Sequence, residues 1–357
     1  MVALGFLLGG LGACLVLLAR DLDVPRTHLA WLSAGFGAAL LAAGPLGPIV
    51  LRWGADTVMR ASAAVLAIGT AGLALAPVLV VAQVGALLLG VGGAGLVLAT
   101  PALMAGHADA ARRLSRVNAI ASLAGVLGPP VLSAADLLPG SGRLALLISA
   151  PVLVWMCTRP AGGRAPSNRR PAPVAPRQPA NRPWAMAGVL ARWTAIVFAV
   201  MTEFCYVVWG AARLQDSGLS VSAAAAAAVA FPLGMATGRV AAARLLDRLP
   251  FLSLSLLLVL TGTVVLVSPA NPVLCIAGLG LVGLGIAVLY PLMLANLMRE
   301  PGLGEHHAAA IGATASGTAI LSAPLLISGL ASVIPLRAAF LVVIPMLAGL
   351  AVLRPRQ

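Results

Sequence analysis

Runs of about 20 apolar residues, parted by short loops, fill nearly the whole chain, and no feature constrains its fold more. A helix of that length crosses the hydrocarbon core of a bilayer. In lipid every backbone N–H and C=O must find its partner inside the protein, which leaves helices or closed barrels. Unbroken apolar runs, rather than alternation, select helices. One stretch breaks the pattern: residues 159–183 read RPAGGRAPSNRRPAPVAPRQPANRP. Proline and arginine dominate there and no apolar face can form, so a solvated, extended linker is expected.

The apolar runs fall at about 1–19, 29–50, 58–77, 80–103, 117–136 and 143–158, and after the linker at 190–211, 221–240, 251–268, 272–296, 308–330 and 337–353. Six lie on each side. The expected organisation is an all-α membrane protein of twelve transmembrane helices: a six-helix bundle over 1–158, a cytoplasmic linker over 159–189 and a second bundle over 190–357. The first run lacks a basic leader, and Arg20-Asp21 follows without a cleavage site, so it reads as a retained span. Only Met1 and Val2 stand ahead of its Ala3, and the start of translation is expected upstream.

The chain is 61% hydrophobic and 9% charged, with mean hydropathy +1.03, outside the range of soluble domains. Its net charge of +13 would suggest nucleic-acid binding in a soluble protein. Here the arginines sit at span ends, where they set orientation. With a cytoplasmic N-terminus, eighteen of them (Arg52, Arg60, Arg112, Arg239, Arg244 and the linker set among them) fall inside. Only Arg20, Arg26, Arg143, Arg213 and Arg337 fall outside. Both termini and the linker are therefore expected in the cytoplasm, in a cell (inner) membrane, with no nucleic-acid partner. The sequence contains no lysine, which excludes a Walker A phosphate loop and Schiff-base chemistry.

A repeat relates the two sides of the linker. Pro45-Leu46-Gly47 with Arg52 recurs as Pro232-Leu233-Gly234 with Arg239, 187 residues on. Gly90, Gly93, Gly95 and Pro101 recur at Gly280, Gly283, Gly285 and Pro291, and Arg143 and Pro151 at Arg337 and Pro345. Two parallel six-span repeats with a site between them at the midplane is one architecture of secondary transporters.

The chain resembles the major facilitator superfamily along its whole length. The family's loop after the second span, approximately Gly-x-Leu-Ala-Asp-Arg-x-Gly-Arg-Arg, is matched by Gly47, Ile49, Arg52, Trp53 and Gly54. It departs at Leu51, where the family has its acid, and at Ala55-Asp56, where it has a basic pair. Gly238-Arg239, Arg244 and Asp247-Arg248 look like the family's weaker second copy, and Gly125, Gly128 and Pro129 approximate its fifth-span antiporter motif. The resemblance implies two pseudo-symmetric bundles that rock about a central cavity lined by the first, fourth, seventh and tenth spans. It brings Tyr206, Tyr290, Gln83 and Thr100 toward substrate and makes Gly47, Arg52, Gly54, Arg239 and Arg244 the cytoplasmic gating loops.

Glu203 carries the chemistry. It sits mid-span in AIVFAVMTEFCYVVWG with no opposite charge within a turn, and Tyr206 follows one turn on. A charge at that depth costs on the order of 3 kcal/mol, so such residues face the protein interior and mark ion or proton pathways. Other candidates read as structure. Gly278-Leu-Gly280-Leu-Val-Gly283 matches a dinucleotide fingerprint but lies inside a span, where small residues serve helix packing. His306-His307 beside Glu305 lack a completing ligand, and Cys14, Cys157, Cys205 and Cys275 read as apolar fillers. Ser220 and Ser222 are expected to cap the eighth span.

The expected activity is secondary transport of a small molecule by a monomer without a cofactor. Protons couple through Glu203, and export is preferred over import. The rival from another class is a multi-span glycosyltransferase whose metal is held by Asp21 and Asp23 on the first outer loop; within transport, the rival is a uniporter or importer.

Overall fold

The computed structural model describes residues 1–104, 110–138, 142–159, 186–245, 250–268, 271–303 and 305–353. Every predicted apolar run is helical and the described residues contain no strand. Six helical stretches are long and apolar enough to cross a bilayer singly: Ala55–Ala74, Leu79–Met104, Met186–Asp216, Val221–Ala242, Pro272–Met298 and Ala310–Ala331. A seventh is a bent pair, α1 (Val2–Gly9) and α2 (Leu11–Asp21), which meet at 54°. The remaining runs form shorter apolar helices.

Where runs are interrupted, proline explains most of the breaks. α9 (Val221–Ala227) gives way to α10 (Ala230–Leu245) around Ala228, four residues before Pro232. α12 (Pro272–Ile286) gives way to α13 (Leu289–Met298) at Ala287, four residues before Pro291. A proline has no N–H for the carbonyl four residues back, and its ring crowds that carbonyl. The 3-10 segments at Gly142–Ser149 and Phe340–Val342 likewise lie just ahead of or against Pro151 and Pro345. The α1/α2 bend has no proline; it falls at Gly9-Gly10.

Between these lie α3 (Ala30–Val50), α4 (Ala55–Ala74), α5 (Leu79–Met104), α6 (Ala110–Asp136) and α7 (Ala150–Thr158). After the linker come α8 (Met186–Asp216), α11 (Phe251–Val267), α14 (Glu305–Ala331), α15 (Leu336–Ala339) and α16 (Val343–Val352). The linker expected over 159–189 lies outside the described residues except at its edges, and its last four residues, from Met186, already belong to α8.

Packing recurs on the two sides of the linker. α4 packs on α5 as α11 packs on α12; α3 meets α5 as α10 meets α12; α1 lies on α6 as α8 lies on α14. Glycines make these contacts close. Gly47 abuts Leu98 of α5, and Gly234 abuts Gly280 and Leu284 of α12. In the dinucleotide-like stretch Gly278 meets Gly262 of α11 and Gly283 meets Phe231 of α10, so those glycines serve two helix crossings at once. Gly5, Gly9 and Gly10 bring α1 and α2 onto Ala121, Gly125 and Gly128 of α6, which accounts for the antiporter-like glycines.

Two long contacts join the halves. α3 runs along α14, with Gly37 against Leu321, Leu41 against Gly317 and Gly44 against Thr314. α6 runs along α9 and α10 in the corresponding place, while α2 packs on α8 and α9.

Candidate functional site

Glu203 stands at the middle of the 31-residue α8 and is half-buried, in a helix otherwise largely enclosed. Arg239 of α10 and Tyr290 of α13 both lie within its electrostatic range. The Tyr290 hydroxyl bonds to Ser316 of α14. Ser316 in turn donates to the Gly312 carbonyl at 2.9 Å. Arg239 is exposed and donates through Nη1 to Ser122 Oγ of α6, on the other side of the linker. A single guanidinium thus bonds to the first half of the chain and lies within charge range of the mid-span carboxyl of the second. Asn296, on α13, is 9% exposed, and its Nδ2 makes no hydrogen bond among the described residues.

The other expected cavity residues go elsewhere. Tyr206 is 1% exposed, stacked between Phe231 and Phe340, and its hydroxyl pairs with Thr263 Oγ1 at 2.6 Å. Three residues along a helix turn the side chain by about 60°, enough for Glu203 to meet the gap while Tyr206 enters the packing against α11. In this conformation Tyr206 is core, which corrects its assignment to the cavity wall. Thr100 is 3% exposed and gives its hydroxyl to the Leu96 carbonyl at 2.7 Å, so it offers substrate no donor here. Gln83 is half-buried near the start of α5, far along that helix from Thr100.

The expected gating residues divide. Gly54, at φ +88°, makes the turn into α4, a conformation that suits glycine. Arg52 is exposed in the 3-10 turn Leu51–Trp53 and forms no ion pair among the described residues. This fits Leu51 in the acid's place. Its repeat partner Arg239 stays inside α10, six residues before that helix ends, and this difference lets it reach Ser122. The Arg244 and His306 side chains lie outside the described residues, as do residues 247 and 248.

Charged residues gather at the opposite end of the bundle. Arg20 grips Asp136 with both terminal nitrogens at 2.7 Å and also Asp21 at 2.8 Å. Arg143 donates to Asp21 at 2.7 Å and to the Ala76 carbonyl, just past the end of α4, at 3.1 Å. Asp136 also accepts from the Gly142 N–H at 3.2 Å and from the Ser222 hydroxyl. Ser133 donates to the Ser222 carbonyl at 2.6 Å. Ser220 caps α9, accepting from the Ala223 N–H at 3.2 Å, whereas Ser222 bridges to α6 and does no capping. Arg26 pairs with Asp216 at 2.8 Å. These contacts, with α2 on α8 and α9, close that end across the halves.

The network engages one of the first-loop acids. Both Asp21 oxygens are taken by arginines, and Asp23 is exposed at φ +51°. No group of three metal-ligating side chains occurs among the described residues. Cys14, Cys205 and Cys275 are buried thiols with no disulfide among them.

Sequence reasoning passed over Asn296, Ser316 and the Arg239–Ser122 bridge. Asn296 had a signal, the lone amide in LYPLMLANLM; the other two depend on which helices meet.

Solved structures share this architecture. A nucleoside transporter, NupG, superposes with a TM-score of 0.71 at 13% identity, over 98% of this chain and 96% of that one. A peptide transporter, POT, crystallised with sulfate, gives 0.76 at 14% identity, over 99% and 91%. No curated protein sequence matches. The sequence model described as Major Facilitator Superfamily matches residues 1–320. The chain therefore belongs to the major facilitator superfamily: it is a multi-pass membrane protein that transports small molecules, and it is not an enzyme.

Proposed function

We propose that the protein is a proton-coupled secondary transporter of small polar molecules, working as an exporter by alternating access between six-span bundles over 1–158 and 190–357. The observation that carries this reading is Glu203, a carboxyl at mid-helix in α8, half-exposed beside Tyr290 and within range of Arg239. An ionisable group at mid-span is expensive in a membrane and marks a function. Its isolation is less complete than the sequence suggests, because the charge of Arg239 on α10 lies within range of it.

That arginine supplies a coupling route. Ionised Glu203 attracts either Arg239 or a cationic group on the substrate. Protonated Glu203 attracts neither, leaving Arg239 to Ser122 of the other half. Proton binding thereby changes both the affinity for substrate and the hold between α10 and α6. The two structural neighbours are named for nucleosides and peptides, and a small polar solute is the class proposed here. Arginine asymmetry supports cytoplasmic termini and a cytoplasmic linker, hence an extracytoplasmic Asp136 end. The conformation, closed across that end, is then inward-facing, and the transporting unit is one chain.

Glu203→Gln in proteoliposomes tests the reading. The amide keeps shape and hydrogen bonding but holds the neutral form. Gradient-driven accumulation is expected to vanish while downhill equilibration continues. Accumulation against a gradient with unchanged pH dependence would place the coupling elsewhere.

A further inference from the structure

A cavity with a mostly apolar wall and a charged mouth lies at one end of the first half. It measures about 340 Å³ and opens where α4 begins and where α5 and α7 end. Asp56, Met59 and Arg60 of α4, Leu103 of α5, Trp155 of α7 and Arg159 line it. The Arg159 guanidinium lies over the Trp155 ring, 4.4 Å from its centroid. Arg60 is poorly served. Its Nη1 makes only a long 3.4 Å contact to the Arg159 carbonyl. Its buried Nε has no directed hydrogen bond among the described residues, although Asp56 Oδ2 lies 3.3 Å away. Two guanidiniums against one carboxylate leave the cavity positive, with donor capacity to spare.

We propose that this cavity is a phosphate site, filled by the phosphodiester of a membrane lipid head group or by the free anion. Arg60 and Arg159 supply the charge-assisted donors that a phosphate recognises. The surroundings favour lipid. Trp155 of α7 and Leu103 of α5, both exposed apolar side chains, line the charged mouth, and Val152 and Val154 of α7 are exposed as well. That arrangement suits acyl chains against the helices and a head group at the arginines, with tryptophan at the interface. Nothing in the transport cycle proposed above uses these residues.

The test uses the full chain in detergent, with three probes: short-chain phosphatidylglycerol, diacylglycerol with the same chains, and inorganic phosphate. Phosphatidylglycerol is expected to raise Tm and to be retained in native mass spectra, whereas diacylglycerol does neither. Phosphate matching phosphatidylglycerol at equal concentration would assign the site to the free anion, and a weaker effect assigns it to lipid. The double variant Arg60→Gln/Arg159→Gln is expected to lose retention about tenfold relative to Arg337→Gln at the other end. Asp56→Asn removes the competing carboxylate and is expected to tighten retention, a readout that survives if the double variant fails to fold. Equal effects of phosphatidylglycerol and diacylglycerol with none from phosphate, or retention untouched by the double variant, overturns the proposal.

Discussion

Arg26 reaches across the molecule to Asp216, its Nη1 2.8 Å from the carboxylate and 3.2 Å from the Ala212 carbonyl, joining the loop after α2 to the end of α8. Both side chains are about one-third exposed, at 31% and 37%, so the pair is one of several weak ties at this end. Exposed pairs of this kind contribute roughly 0.2–1 kcal/mol. Arg26→Gln is therefore expected to shift the open-to-closed ratio by no more than about fivefold. A single cysteine at Val16, beneath the pair and otherwise buried, reads this as faster labelling by an impermeant maleimide. Labelling no faster than in the parent would remove the pair from the closure.

Asp136 is a stronger tie. Its side chain is only 2% exposed and serves Arg20, the Gly142 N–H and Ser222 together. Asp136→Asn leaves Arg20 half-paired and is expected to lower stability by about 1.5–3 kcal/mol, seen as a lower Tm in detergent. Ser222→Ala keeps the Arg20 contact and the Ser133 bond to the residue 222 carbonyl and removes only the hydroxyl bridge from α9 to Asp136, so Tm should fall less while Val16 labelling rises. An unchanged Tm in Asp136→Asn contradicts this ranking.

The α3–α14 contact depends on missing side chains. A Cβ on Gly317 would fall on the Leu41 backbone, and one on Gly37 on Leu321. Gly317→Leu must push the two helices apart, at a cost of roughly 1–3 kcal/mol by analogy with overpacked cores. Gly329→Ala, on the same helix with nothing within 4 Å, is the control and should be neutral or slightly stabilising. Equal thermal stability of the two variants would show that the glycine approach is not needed.

Orientation is open to direct measurement. Trp53 is 72% exposed near the Arg52 end and Leu138 is 66% exposed near the Asp136 end. In a background lacking the four native cysteines, Leu138→Cys should react with impermeant thiol reagents in intact cells and Trp53→Cys should not. The reverse pattern inverts the topology.

Local composition was enough to read that this chain is helical, where its apolar runs lie and that motifs recur on the two sides of the linker. The reason is local: in lipid a segment must close its own backbone hydrogen bonds, so composition over about 20 residues settles the element. It also marked Glu203, because a lone carboxyl in an apolar run has no cheap explanation. Which way each helix faces was left to tertiary structure. Lipid is as apolar as leucine, so hydrophobicity does not separate the protein interior from its bilayer surface, and only close packing and polar partners do. That is why Tyr206, one turn from Glu203, is drawn into the core by Thr263 and two phenylalanines. It is also why Thr100 turns back on Leu96. The same packing brings Arg239 to Ser122, 117 residues away, and Arg20 to Asp136, 116 residues away, pairings that no local pattern encodes.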